Sequence, residues 1–250
     1  MQRRQALKLF AGLALCPLCR SSGFAADAHW SYEGDTGPDK WGGLDAANRV
    51  CSAGSQQSPV DIGQTIKAQL TPLKIGWGRR ADTIVNNGHS IQLNFAEGSR
   101  LTAPGGEYKL VQCHFHRPSE HLINGKTYPM EVHFVHANAS GAFAVVGVLM
   151  ETGKANAAFN KIVSTMPAQE GPAVKADAAI NPNGLLPAKL TYYRYEGSLT
   201  TPPCGETVDW LLLIDPIQVA SDDVAAFAKL YAMNARPAQK ANRRFVLRSG

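Results

Sequence analysis

Five of the chain's seven histidines lie in one window, QCHFHRPSEHLINGKTYPMEVHFVH, residues 112–136. Side chains of a β-strand alternate between its two faces, so His114 and His116 share a face while Cys113 lies on the other. The second apolar run of the window carries His133. If the two runs pair as antiparallel neighbours, the three imidazoles converge on one point.

Three neutral imidazole ligands suit zinc, and they leave a fourth position for water, which is typical of catalytic rather than structural zinc sites. Gln112 and Glu131 share faces with the histidines and are expected to orient them by hydrogen bonds. The alternative is that these are surface histidines or hydrogen-bonded core histidines, the usual explanation for a lone histidine. A pair on one strand face with a third at matching parity favours the metal site.

The first residues have the layout of an export signal. Arg3 and Arg4 give a basic start, residues 9–15 form a short apolar run, and small residues follow. We predict that residues 1–25 are the signal and that residues 26–250 are the mature domain, located in the periplasm or secreted. Twin-arginine export and ordinary secretion both remain open. Plausible cleavage points follow Ala25, Ala26 and Ala28.

Composition indicates an ordinary globular protein. The chain has 250 residues, of which 44% are hydrophobic and 18% charged, and no repeat or linker interrupts it. We therefore predict a single domain.

No stretch approaches the roughly 20 apolar residues of a membrane-spanning helix, so no membrane span is predicted. The formal net charge of +5 includes four basic residues of the signal, and losing them leaves +1. That small charge gives no support to nucleic-acid binding.

Two of the five cysteines lie in the predicted signal, which leaves three in the mature chain. Cys51 and Cys204 occur in Gly/Pro-rich stretches, whereas Cys113 lies inside a strand pattern. Because an exported protein can keep a disulfide, we predict a Cys51–Cys204 bond.

Short apolar or alternating runs bounded by turn residues predict a mainly antiparallel sheet. These runs cover residues 83–87, 90–95, 108–116, 130–136, 142–150, 190–195 and 207–214. Helical patterns are few, and the better ones cover 155–166 and 221–234, the second with Ser221 as its N-cap.

The histidine spacing, followed by SEH and the run MEVHFVH, resembles the alpha class of carbonic anhydrases. Further matching motifs are HWSYEG (29–34), QQSPVDI (56–62), NNGHSIQL (86–93), AVVGVL (144–149), YEGSLTTPPCGETVDW (195–210) and NARPAQ (234–239). They extend over nearly all of the mature chain. The resemblance implies a mainly β (α+β) single domain with a large, mostly antiparallel twisted sheet of about ten strands and short peripheral helices.

The resemblance also implies the site. His114, His116 and His133 are expected to bind Zn2+, with Gln112 and Glu131 behind them. Thr200, hydrogen-bonded to Glu120, would orient a zinc-bound hydroxide for attack on CO2, and His89 would carry the released proton to buffer. Tyr32, Asn87 and Gln92 would hold the water chain beside His89. The substrate pocket is expected to comprise Val135, Val145, Leu199, Thr201, Val208 and Trp210.

The predicted function is therefore zinc-dependent, reversible hydration of CO2 to bicarbonate and a proton, with CO2 and bicarbonate as the only expected partners. Two alternatives stay open. The same centre could hydrolyse activated esters as a side activity, and some relatives that have lost ligands serve as binding modules. All three histidines are present here, together with Glu120 and Thr200. Whether the protein is a monomer or a dimer is left undetermined.

Overall fold

The computed structural model describes residues 29–78 and 80–250. The predicted export signal, residues 1–25, lies outside the described residues. Within them, no helix has both the length and the apolar character needed to cross a membrane.

The described part of the chain forms fifteen β-strands. They are β1 (Asp61–Ile62), β2 (Ile66–Lys67), β3 (Lys74–Gly76), β4 (Thr83–Asn86), β5 (Ile91–Asn94), β6 (Arg100–Ala103), β7 (Gly106–His116), β8 (Leu122–Ile123), β9 (Met130–Ala137), β10 (Phe143–Thr152), β11 (Val174–Lys175), β12 (Tyr192–Gly197), β13 (Val208–Leu213), β14 (Ile217–Val219) and β15 (Leu247–Arg248). Every run that the sequence predicted as a strand forms one.

The helices are short. They are α1 (Trp41–Leu44), α2 (Val50–Ala53), α3 (Ala157–Thr165) and α4 (Ser221–Ala228), with 3-10 turns at Gly34–Thr36, Ala46–Asn48 and Pro182–Leu185. Asn156 caps α3, since its side chain accepts hydrogen bonds from the backbone N–H groups of Ala158 and Phe159.

The prediction that Ser221 is the N-cap of α4 is wrong. Strand β14 runs almost directly into the helix, so the extended cap position falls on Ala220 and Ser221 is already helical. The helix also ends at Ala228 rather than reaching residue 234. Asn234 lies outside it because its backbone N–H bonds to the carbonyl of Arg117.

Thirteen strands form one sheet in the order β11-β4-β5-β7-β9-β10-β13-β12-β15-β2, with β14 beside β10, β6 beside β7 and β3 beside β6; β1 and β8 pair separately. This confirms a large, mainly β domain with few helices. Most pairings are antiparallel, but β10 runs parallel to both β13 and β14, and β15 runs parallel to β2. The sheet is thus mixed and larger than the sequence predicted.

The two faces of the sheet bury separate apolar clusters. Phe115 and Phe134 belong to the larger cluster, which α3 and α4 cover through Phe159 and Phe227. Alternate residues of the same strands face the other way, where a smaller cluster includes Trp210. Burying one such side chain stabilises the fold by about 1.5–3 kcal/mol. The smaller cluster lies on the face that carries the histidines.

Candidate metal centre

Strands β7 and β9 bring three of the predicted site residues together. They pair antiparallel, with His114 directly opposite His133 and His116 opposite Glu131. The ring centroids of His114 and His116 are 4.9 Å apart, those of His114 and His133 are 5.3 Å apart, and those of His116 and His133 are 4.5 Å apart. The alternation of side chains along each strand, together with this register, places all three on one face.

A hydrogen bond on one nitrogen of each ring determines which nitrogen faces the centre. The bonds are His114 Nδ1 to Gln112 Oε1, His116 Nδ1 to the carbonyl oxygen of Asn234, and His133 Nε2 to Glu131 Oε1, each 2.8 Å. In each case an oxygen accepts, so the bonded nitrogen carries the proton. The lone pairs that remain are on Nε2 of His114, Nε2 of His116 and Nδ1 of His133.

These lone pairs meet the requirements of a zinc ion. The three histidines offer nitrogen atoms that all lie within 4.8 Å of one another. His116 Nε2 is buried and has no hydrogen-bond partner among the described residues, a condition that costs about 1–3 kcal/mol unless a ligand occupies it. Burial also lowers the pKa of His116 to about 4 and lowers the pKa of His114 and His133, so all three are neutral at pH 7. Neutral imidazole is the form that binds metal.

Both oxygens of Glu131 are occupied by hydrogen bonds from neighbouring residues. His121, Glu131 and His133 also cluster, but Glu131 Oε1 accepts hydrogen bonds from His121 Nδ1 at 2.7 Å and His133 Nε2 at 2.8 Å. Its Oε2 accepts the backbone N–H groups of Glu120 and His121, each at 2.9 Å. Burial opposes ionisation of Glu131, but the two histidines beside it hold its pKa well below the usual range. The carboxylate is therefore charged and its lone pairs are taken.

Behind His121 the polar contacts continue. The hydroxyl of Tyr195 lies 2.6 Å from His121 Nε2 and 3.1 Å from Ser58 Oγ. Ser58 Oγ in turn accepts the backbone N–H of Ser198, and Ser198 Oγ accepts that of Ser58. A continuous path of hydrogen bonds thus joins Glu131 to the start of the loop that carries Thr200.

Glu120 and Thr200, predicted as a pair, lie on the same side of the centre. Glu120 is buried, and its Oε1 accepts the backbone N–H of Arg236 at 2.8 Å. Its Oε2 lies 3.8 Å from His133 Nδ1. Burial raises the pKa of Glu120 to about 7, although His133 and the Thr200 hydroxyl both act to lower it. Glu120 Oε2 is buried and has no hydrogen-bond partner among the described residues.

The predicted disulfide is confirmed. Cys51 and Cys204 are bonded, with their Cα atoms 5.0 Å apart, and Cys113 is a free, buried thiol. Cys204 ends the Thr200 loop, and its N–H bonds to the carbonyl of Thr201. The disulfide therefore ties that loop to α2.

The predicted apolar wall lies beside the histidines. Val135, Val145, Val208 and Trp210 are buried in the smaller cluster, and Leu199 packs against it partly exposed. The rings of Trp210 and His133 are 4.8 Å apart. Thr201 is partly buried on the loop beside Thr200.

His89 lies on the loop between β4 and β5. Its ring stacks on Trp30, with centroids 3.7 Å apart and planes 11° apart. Asn87 Oδ1 accepts the backbone N–H groups of His89 and Ser90, at 3.0 and 2.8 Å. Tyr32 and His89 both line a cavity of about 260 Å³.

Gln92 lies between that loop and the metal centre. It is opposite His114 in the pairing of β5 with β7. Its Oε1 accepts a long hydrogen bond of 3.4 Å from Asn87 Nδ2. Gln92 thus places a polar side chain between Asn87 of the His89 loop and His114.

Asn234 is a site residue that the sequence reasoning missed. It is fully buried, and besides accepting from His116 it accepts the backbone N–H of Arg117 on Oδ1 at 2.7 Å. Its Nδ2 donates to the carbonyl oxygens of His89 and Phe115, both at 2.9 Å. One side chain therefore joins the His89 loop to strand β7. The motif NARPAQ marked this segment, but nothing in it indicated these contacts.

The known proteins that this chain resembles match it over nearly its whole length. The family model "Eukaryotic-type carbonic anhydrase" matches residues 36–250. The carbonic anhydrase of Klebsiella pneumoniae is 42% identical over 223 residues, covering 88% of this chain and 91% of the relative. The alpha-carbonic anhydrase of Thermovibrio ammonificans, solved with the inhibitor sulfanilamide, superposes with a TM-score of 0.86 at 40% identity, covering 89% of this chain and all of that one. Dioscorin solved with ascorbate has a TM-score of 0.82 at 29% identity, covering 88% and 97% of the two chains.

Proposed function

The chain belongs to the eukaryotic-type, or alpha, family of carbonic anhydrases, and from that premise we propose that it hydrates CO2 reversibly with a zinc ion held by His114, His116 and His133. The observation that carries this proposal is the convergence of three imidazole lone pairs, one of them buried without a partner. A zinc ion bound by neutral imidazoles supplies a nucleophile at neutral pH by lowering the pKa of its water, and carbonic anhydrases are the reference example of that effect.

The residues around the ligands have supporting roles. Gln112, Asn234 and Glu131 each accept the N–H of one ligand imidazole, which fixes its tautomer and orientation. Glu120, as a carboxylate, would accept a hydrogen bond from the Thr200 hydroxyl. The Thr200 oxygen would then be left as an acceptor that orients the attacking group.

CO2 carries no charge, so its binding site has to be apolar. We assign it to the wall described above, where Val145 and Trp210 are almost fully buried. A narrow apolar wall admits CO2 and disfavours larger acyl groups, so ester hydrolysis is at most a side activity. Thr201 supplies a polar edge to the same pocket.

Each turnover releases one proton, and we assign its transfer to His89. An imidazole near its ordinary pKa can both accept and release a proton at neutral pH. His89 is half-buried and lines an open cavity. Tyr32, Asn87 and Gln92 would hold the water molecules between His89 and the centre.

Export to the periplasm or beyond belongs to the same proposal. The layout of the first residues supports it, and so does the disulfide, since such bonds persist in oxidising compartments.

The direct test is stopped-flow CO2 hydration by the purified mature chain, with zinc content measured on the same sample. We expect about one zinc per chain, loss of activity after chelation and recovery on zinc addition. His133→Ala should abolish zinc binding and activity together, whereas Gln112→Ala should weaken zinc binding by roughly 10–100-fold. A full zinc load without hydration would refute the catalytic proposal and favour a binding module. An active, zinc-loaded His133→Ala protein would refute the ligand set.

A further inference from the structure

The loop that carries His89 is bound to a second segment, residues 167–171, which follows α3. Two hydrogen bonds join the segments, and Asn86 makes both of them. Its side-chain Nδ2 donates to the carbonyl oxygen of Pro167 at 3.1 Å, and its own carbonyl oxygen accepts the N–H of Gly171 at 3.1 Å. Because both ends of the segment bond to one residue, the backbone that carries Glu170 is held beside the His89 loop.

Gly88 shows how close that approach is. A Cβ atom placed on Gly88 would lie 2.8 Å from Glu170 Oε2 and 3.1 Å from Oε1, nearer than side-chain atoms normally come. Gly88 also has a φ of +82°, a conformation that favours glycine. The Glu170 carboxylate therefore rests against the backbone of the residue immediately before His89.

The groups facing His89 come from three segments. Trp30 buries one face of its ring, and His29 lies with its centroid 6.4 Å away. Glu170 approaches from the segment after α3. The other titratable side chains lining the cavity are Tyr32, Glu33 and Tyr231. Burial and His29 lower the pKa of His89, whereas Glu170 raises it.

We propose that Glu170 is a positioning residue for proton transfer, because its carboxylate stabilises the protonated form of His89 against burial by Trp30 and repulsion by His29. This inference rests on the proposed role of His89. A proton acceptor is most effective when its affinity for the proton matches the working pH. Without the carboxylate, His89 would accept protons less readily and hydration turnover would slow.

The test is an NMR titration of the His89 ring in the zinc-loaded chain, with its signal assigned by its absence in a His89→Gln variant. In Glu170→Gln the titration midpoint should move to lower pH. His29→Gln should move it to higher pH. Glu33→Gln is the matched control, because Glu33 is an exposed carboxylate that lines the same cavity, whereas the carboxylate beside Gly88 is that of Glu170. The Glu170 effect should shrink between about 0.01 M and 1 M salt, as the Debye length falls from about 30 to 3 Å.

An unchanged midpoint in Glu170→Gln, or an equal movement in Glu33→Gln, would overturn the proposal. The pH profile of kcat in weak buffer should follow the NMR midpoint, while kcat/KM in Glu170→Gln should equal that of the wild type at each pH. If the His89 titration midpoint moves in Glu170→Gln but the pH profile of kcat does not, the role of Glu170 in turnover is overturned. The proposed metal centre is not affected by that result. Absence of hydration with a normal His89 titration would instead contradict the proposed function, so the two failures are distinguishable.

Discussion

Gly147 provides a test of how tightly the residues behind His133 are packed. It lies in the middle of β10, opposite His133 on β9 and Leu212 on β13. A Cβ atom at Gly147 would lie 2.8 Å from Leu212 Cδ1, 3.1 Å from Glu131 Oε1 and 3.8 Å from His133 Cδ2. We therefore predict that Gly147→Ala weakens both the fold and metal binding.

The magnitude follows from which neighbour can move. Glu131 Oε1 is held by hydrogen bonds of 2.7 and 2.8 Å to two histidines, so Leu212 must shift within a packed cluster or the Glu131–His133 bond must lengthen. Overpacking of this kind costs about 1–3 kcal/mol. Disturbing the partner of a metal-bound histidine typically lowers metal affinity by roughly 10–100-fold.

Two measurements separate these effects. Urea unfolding of the metal-free protein reports the steric cost, and zinc affinity, measured by competition with a chelator, reports the change at the ligands. Gly43→Ala is the control, because Gly43 is an exposed helical residue where an added Cβ meets no described atom within 4 Å. If Gly147→Ala matched wild type in both measurements, the close packing of Gly147 against Glu131 would be refuted.

Three further predictions concern single features. His89→Ala should lower kcat in weak buffer and leave kcat/KM nearly unchanged, with imidazole buffer restoring turnover; equal losses in both parameters would rule out the shuttle. Replacing Cys51 and Cys204 by serine removes a crosslink across 153 residues. The chain-entropy model gives such a crosslink about 5 kcal/mol of unfolding free energy, and measured disulfides contribute about 2–4 kcal/mol. The double variant should therefore unfold at lower urea concentration, and added reductant should not destabilise it further. Burial lowers the pKa of His136 to about 4. As the pH falls, this histidine is therefore protonated in the unfolded chain before it is protonated in the folded chain. Stability should thus be full above about pH 6.5 and fall by about 3 kcal/mol towards pH 4, less steeply in His136→Gln.

The sequence predicted those parts of the structure that depend on local periodicity. Alternation along one strand placed His114 and His116 on the same face, and His133 joins them in the observed register, because a shift of one residue would turn it away. The same reasoning explains why every predicted strand forms. The disulfide followed from the surroundings of the three remaining cysteines.

Contacts between distant segments could not be predicted in this way. The nitrogen of His116 that faces the centre depends on the carbonyl of Asn234, which is 118 residues away. Glu120 depends on the backbone of Arg236, 116 residues away. The parallel pairing of β10 with β13 also joins strands that a long stretch of chain separates, and no alternating pattern encodes such a partner. The prediction that Ser221 is the N-cap of α4 was wrong for a related reason, because the preceding strand determines where the helix begins.

Asn234 and Arg236 follow every other residue assigned to the site, so the ribosome makes them last. Until they are in place, His116 Nδ1 and Glu120 Oε1 lack the partners they have in the folded protein. The paired strands β7 and β9 therefore do not by themselves complete the proposed zinc site, which forms after synthesis of nearly the whole chain. For an exported chain, the route across the membrane then decides where the metal is acquired. A chain exported unfolded would take its zinc outside the cytoplasm, whereas one exported folded would take it from the cytoplasmic pool.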